Sequence, residues 1–196
     1  HRSRDKEKAS GMTRLTFICH GATAAIRQAR FPLDEALEDK AMIDARALAP
    51  AIPRADRIMT SPALRTRQTA DALGLGAEVV PTLADCDYGR WAVQSIMALQ
   101  QSEPDALSAW LTDTDAAPHG GESIRALHDR VAPWMQAQSA LGGHAIAISH
   151  APTIRLAVLI ALGAPLSSFW HIDVEPLSAV RMTSNGTRWS LRFDRV

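Results

Sequence analysis

An α/β fold, a three-layer sandwich of helices around a mostly parallel central sheet, is what this sequence predicts, and three observations predict it. Short apolar runs alternate with helix-patterned segments along the chain. Two of those runs, Leu15–Cys19 and Ala145–Ser149, end directly in a histidine, His20 and His150, that leads into a helix-like stretch. A pair of β-patterned stretches flanks Ser184-Asn185-Gly186-Thr187, whose Asn-Gly step signals a closing hairpin. Ligands of open parallel sheets bind beyond the carboxyl ends of the strands, where helix N-termini favour anions, so both histidines are expected at a ligand crevice on neighbouring central strands.

Taken in order, Leu15–Cys19 is apolar on both faces and predicts a central strand. Ala24–Arg30 follows as a short helix that Phe31-Pro32 breaks. Apolar residues at Leu37, Ala41, Ile43, Ala45 and Leu48 predict an amphipathic helix from Asp34 to Leu48. Arg57–Thr60 is a brief second strand, then Ser61 as cap and Pro62 in the first turn open a helix that runs to Leu73 and stops at Gly74. Glu78–Val80 is a third strand. Ser95–Gln101 and Asp105–Leu111 predict two helices of a small lid spanning 91–118, with Pro104 between them. Residues 118–123 form a loop before a long helix, Ile124–Ser139, in which Pro133 predicts a kink or break. The second histidine strand, a helix from Pro152 to Leu162 and the hairpin of 179–183 with 188–193 complete the chain.

Composition bounds the answer. A chain of 196 residues with 46% hydrophobic and 21% charged residues is an ordinary globular domain, long enough for a substantial core. Zero formal net charge proposes no nucleic-acid or anionic-membrane partner, and no run is long and apolar enough to span a bilayer. Cys19 and Cys86 have no zinc spacing and no disulfide framework around them, so free thiols in a cytoplasmic, reducing setting are expected. Residues 1–11 are densely charged and precede Met12. They are read as a leader foreign to a single domain over 12–196. The oligomeric state is left open, a homodimer included.

The constellation Cys19-His20-Gly21-Ala22-Thr23, Ser61-Pro62-Ala63-Leu64-Arg65-Thr66-Arg67-Gln68-Thr69-Ala70, an acid ahead of Tyr88-Gly89-Arg90-Trp91, and Ser149-His150 resembles the histidine phosphatase superfamily, which includes the cofactor-dependent phosphoglycerate mutases. The resemblance implies that His20 is a nucleophile forming a phosphohistidine, and that Arg65 grips the phosphoryl oxygens. It further implies that His150 stabilises their developing charge and that Asp85 is the general acid. It places Cys19, Gly21, Thr23, Arg27, Glu122 and Ala151 around the phosphate, with no metal or other cofactor. A small phosphorylated metabolite is the implied substrate, handled by hydrolysis rather than mutase chemistry because the segment between Asp85 and Glu122 is short.

Rival readings stand beside these. Arg67 competes with Arg65, Asp87 with Asp85, and each histidine with a purely structural role. His119 caps or lines the lid, Glu122 orients a histidine or begins its helix, His128 lies on an exposed helix face, and His144 and His171 lie in loops. Trp91, Trp110 and Trp134 are read as packing. Cys19 stands where the family has an arginine, and a lost charged contact of this kind costs about 2–4 kcal/mol of transition-state stabilisation. Either Arg27 compensates, or the chain is a weak or inactive member that binds a phosphorylated ligand or a protein partner. A thiol-dependent phosphatase would need an arginine six residues after its cysteine, and that position is Ala25. A buried, inert thiol is the alternative.

Overall fold

The computed structural model describes residues 11–196, so the proposed leader, Gly11 apart, lies outside the described residues. Six strands form one sheet: β1 (Thr13–Cys19), β2 (Arg57–Thr60), β3 (Glu78–Val79), β4 (Gly143–Ser149), β5 (Ala179–Ser184) and β6 (Trp189–Arg192), in the order β3-β2-β4-β1-β5-β6. The four on the β3 side run parallel, and β5 and β6 are antiparallel additions at the other edge. The helices are α1 (Ala24–Arg27), α2 (Asp39–Leu48), α3 (Leu64–Ala72), α4 (Ile96–Ser102), α5 (Pro104–Thr112), α6 (Ile124–Ser139) and α7 (Ala151–Leu162). This is the expected mostly parallel sandwich.

Strand alternation builds the three layers. Leu15, Phe17, Ala145 and Ala147 face one core with α6 and α7, whereas Ile18, Ile146 and Ile148 face a second core with α2 and α3. Each fully buried large side chain contributes roughly 1.5–3 kcal/mol. The central pair β1–β4 is therefore a rigid platform, and it ends in register at Cys19 opposite Ser149. From that point the chain after β1 leads to the α2–α3 face, and the chain after β4 leads to the α7 face. The divergence opens a crevice between His20 and His150.

Several local expectations change. The helix expected from Asp34 begins at Asp39, because residues 34–38 serve other partners: Asp34 Oδ1 accepts the Leu64 N–H at 2.8 Å, and Leu37 N–H donates to Gln68 Oε1 at 2.8 Å. Ile43 and Leu48 are exposed, and the small Ala41 and Ala45 face the sheet instead. Ser61 does not cap α3, which starts after an extended Ala63; its hydroxyl is held by His150, and Asp34 serves the free N–H of Leu64. Pro133 does not break α6, since its ring lies on the solvent side while Ile124, Leu127, Val131 and Met135 hold both halves against the sheet. His144 belongs to β4 rather than a loop, because pairing with β1 begins at Gly143; its ring bridges Arg54 O and Thr16 Oγ1, both at 2.9 Å. His171 ends a short 3₁₀ stretch, Leu166–His171. Across the region 91–118, Trp91, Leu99, Leu107 and Trp110 pack into the main core.

Candidate active site

His20 leaves the end of β1 and is 5% exposed. Its Nδ1 lies 2.7 Å from the Gly21 carbonyl, which can only accept, so Nδ1 carries the proton and Nε2 keeps its lone pair. Burial, aided by the Arg65 charge, lowers its pKa to about 4, and the ring is neutral at ordinary pH. Gly21 is closely packed, a Cβ there falling 3.1 Å from that of Ala41, and its N–H donates to Thr69 Oγ1. Thr23 is buried and caps α1 through Oγ1.

His150 sits 5.0 Å away, ring centre to ring centre. Its Nε2 is 2.7 Å from Ser61 Oγ, and Ser61 also accepts the Ala63 N–H. Among the described residues Nε2 is the acceptor within reach of the serine's own proton, so the serine donates to Nε2 and the ring hydrogen of neutral His150 sits on Nδ1. That Nδ1 has no hydrogen-bond partner among the described residues and lies 3.6 Å from Asp85 Oδ2. Burial, then the charges of Arg65 and His20, hold His150 well below the usual imidazole range.

Arg65 is 3% exposed on α3. It donates to Leu33 O at 2.7 Å and to Asp85 Oδ2 at 2.8 Å, and its Nε has no partner among the described residues. Asp85 Oδ1 accepts from Cys86 N–H and from the Tyr88 hydroxyl. Burial raises the Asp85 pKa, with Arg65 pulling the other way. A buried donor and a buried ring N–H thus wait without acceptors around one cavity of about 180 Å³, into which His20, Arg65, Asp85, His150, Tyr88 and Arg155 open. Such a set can hold a tetrahedral oxyanion against a neutral imidazole.

Several sequence expectations, Cys19 and Gly21 among them, do not line this cavity. Arg27 is largely exposed and paired with Glu38 at 3.1 Å, so it does not replace a missing motif arginine. Glu122 makes no hydrogen bond to a histidine among the described residues; it binds Arg130 and accepts the Asp87 N–H, bracing the acid-bearing loop. Arg67 is exposed, donating to Pro62 O, and Asp87 accepts the Gly89 N–H on the outer side of its loop. Both rivals therefore yield to Arg65 and Asp85 on position. His119 is buried among Trp91, Trp110 and Tyr88. The Ala151 backbone donates to the Cys19 thiol. That thiol is 1% exposed, and burial, then the Asp85 charge, push it up to about 12, an unreactive state.

The sequence reading missed Ser61 as the partner of His150, Tyr88 as the partner of Asp85, Arg130 and Arg155. Arg155 had a signal: it lies four residues after Ala151 on one helix, and hence on the face that Ala151 turns to the cavity. The loop geometry had none, since it depends on two chain segments crossing. A Cβ on Gly89 would lie 2.1 Å from His119 O, and one on Gly121 2.0 Å from Asp87 O, so only glycines permit the crossing that presents Asp85.

A family profile, histidine phosphatase superfamily (branch 1), matches residues 15–194. The adenosylcobalamin/alpha-ribazole phosphatase of Salmonella typhimurium is 27% identical over 175 residues, which are 83% of this chain and 86% of that one. Among solved structures, the alpha-ribazole phosphatase of Shigella flexneri superposes with a TM-score of 0.80 at 24% identity, over 91% of this chain and 94% of that one. A mycobacterial glucosyl-3-phosphoglycerate phosphatase superposes with a TM-score of 0.79 at 23% identity, over 91% and 96% respectively. With the profile spanning nearly the whole described chain and phosphatases among its relatives, this protein belongs to the histidine phosphatase superfamily and is a phosphoric monoester hydrolase.

Proposed function

We propose that the protein hydrolyses a small phosphorylated metabolite through a phosphohistidine at His20 Nε2. The observation that carries this reading is the fixed tautomer of His20: Nδ1–H is tied to Gly21 O, and the free Nε2 shares a cavity with Arg65 and His150. In the first step Nε2 attacks phosphorus as the bond to the leaving oxygen breaks, and protonated Asp85 gives that oxygen its proton. Arg65 and the His150 Nδ1–H hold the phosphoryl oxygens while charge develops. In the second step water attacks phosphorus, the N–P bond breaks, and Asp85 takes the water's proton, releasing inorganic phosphate.

The 180 Å³ cavity accommodates a phosphoryl group, and the adjoining groove of about 420 Å³, walled by Pro32, Leu33, Tyr88 and Ala92, offers room for the alcohol portion. Cys19 favours a second reading, ligand binding without turnover. The two separate on p-nitrophenyl phosphate: the hydrolase reading expects turnover by the wild type, an acid-labile phosphoenzyme, and loss of both in His20→Ala. A wild type that binds inorganic phosphate yet neither turns over nor becomes labelled would instead establish the binding reading.

A further inference from the structure

Cys19 withholds from this site the cation its family carries beside the first histidine, and the cavity shows where another comes from. We infer that Arg155, from the second turn of α7, supplies the second guanidinium on the phosphoryl group; the inference rests on the phosphatase reading and adds a catalytic residue to it.

Three observations converge on Arg155. It opens into the same cavity as His20, Arg65 and His150. Its side chain is anchored rather than free: Nε donates to Ile172 O at 2.6 Å, and the guanidinium carbon stands 5.2 Å from the centre of the Phe169 ring. Anchoring at Nε and one face leaves both terminal nitrogens without a protein acceptor, and no carboxylate pairs with Arg155 among the described residues. A fixed arginine with two unused donors at a cavity wall is preorganised for a bidentate oxyanion. Its charge favours the ionised form of both the Cys19 thiol and the Tyr88 hydroxyl, against the burial that raises each.

Charge balance requires such a group. The two histidines are neutral and Arg65 is matched by Asp85, so without Arg155 a phosphate dianion would enter a cavity of no net charge. With Arg155 the cavity is singly positive, and one proton taken up by Asp85 makes it doubly positive, equal and opposite to the dianion. Arg27, exposed and paired with Glu38, contributes nothing to this balance.

The test measures inorganic phosphate binding by calorimetry and p-nitrophenyl phosphate turnover on the full chain, for wild type, Arg155→Met, Arg155→Lys and Cys19→Arg with Arg155→Met. Arg155→Met is expected to lose about a hundredfold in kcat/KM and to bind phosphate at least tenfold more weakly, the scale of one lost charged donor. Arg155→Lys keeps the charge without the fork and falls between. Cys19→Arg restores part of both signals in the Met background, a rescue that a structural role for Arg155 does not produce. If the double variant does not fold, the Lys–Met contrast still decides. Phosphate affinity and turnover in Arg155→Met within twofold of wild type overturn the inference while leaving the phosphatase reading intact. Arg155-dependent phosphate binding by a wild type that does not turn over sustains the inference and overturns hydrolysis, and a wild type that neither binds phosphate nor turns over overturns both.

Discussion

Removing Arg130 tests whether the acid-bearing loop is held from outside the cavity. Arg130 projects from α6 and makes five hydrogen bonds: to both oxygens of Glu122 at 2.9 Å, to Thr82 O at 2.7 Å, to Ala84 O at 3.1 Å and to Asp85 O at 3.0 Å. Its side chain is 24% exposed and that of Glu122 22%, so water screens the pair only in part. Breaking a buried pair by deleting one partner costs about 3–5 kcal/mol, and this exposure puts Arg130→Met at the lower end, about 3 kcal/mol. At about 2–4 °C per kcal/mol for a chain of this size, Tm falls by about 6–12 °C. The carbonyl released includes that of Asp85 itself, so proton donation to the leaving group suffers with it. Turnover of an alkyl phosphate, whose alkoxide needs that proton, therefore falls more than turnover of p-nitrophenyl phosphate. Calorimetric melting and the two substrate rates give the result. A Tm within about 2 °C of wild type, less than 1 kcal/mol of destabilisation, refutes the bracing role. Equal losses on both substrates refute its link to Asp85.

Two further outcomes follow from the cavity. Asp85→Asn loses about 10²–10⁴-fold in kcat on an alkyl phosphate and far less on p-nitrophenyl phosphate, whose phenolate leaves without a proton; the same loss on both would remove Asp85 as the acid. The acid limb of kcat/KM lies near pH 4, where the buried His20 of the free enzyme protonates, and kcat declines on the alkaline side as Asp85, raised by burial, loses its proton. An acid limb near the ordinary imidazole value of 6.5 contradicts the buried neutral ring. The sign for stability agrees: the unfolded ring binds a proton that the folded one refuses, so this contribution is complete above pH 6.5 and is lost as pH falls towards 4.

His20, Arg65 and His150 are legible in the sequence because each sits at a local landmark, a strand end or a helix start, that apolar pattern and turn chemistry reveal, whereas Asp85 lies in a loop and is legible only through the family resemblance. The parallel pairing of β1 with β4 brings the two histidines together, the pairing of β2 with β4 adds Arg65, and the crossing at Gly89 and Gly121 adds Asp85. What escaped the sequence depends on long-range contacts. Arg130 reaches carbonyls 45 to 48 residues away, Asp34 caps a helix 30 residues further on, and Ser61 serves a histidine 89 residues along the chain instead of its own helix. Ile43 and Leu48 fit the helical stripe by spacing, yet the close approach of α2 to its neighbours admits alanine there and turns the larger residues outward.

Asp85 has two successive partners, and this resolves an apparent conflict in its assignment. A carboxylate 2.8 Å from a buried guanidinium is a poor acid, because the ion pair holds it ionised. Arg65, however, has an unused Nε beside the cavity, and a phosphoryl oxygen arriving there competes for the same guanidinium. As Arg65 turns its charge to the phosphate, Asp85 loses its stabilising cation and gains an anionic neighbour while staying buried. Both changes raise its proton affinity, opposed only by the Cys86 N–H and the Tyr88 hydroxyl that still donate to Oδ1 among the described residues. On the proposed mechanism the ligand that needs a proton donor thereby creates one, and without ligand Asp85 is the partner that lets Arg65 be buried.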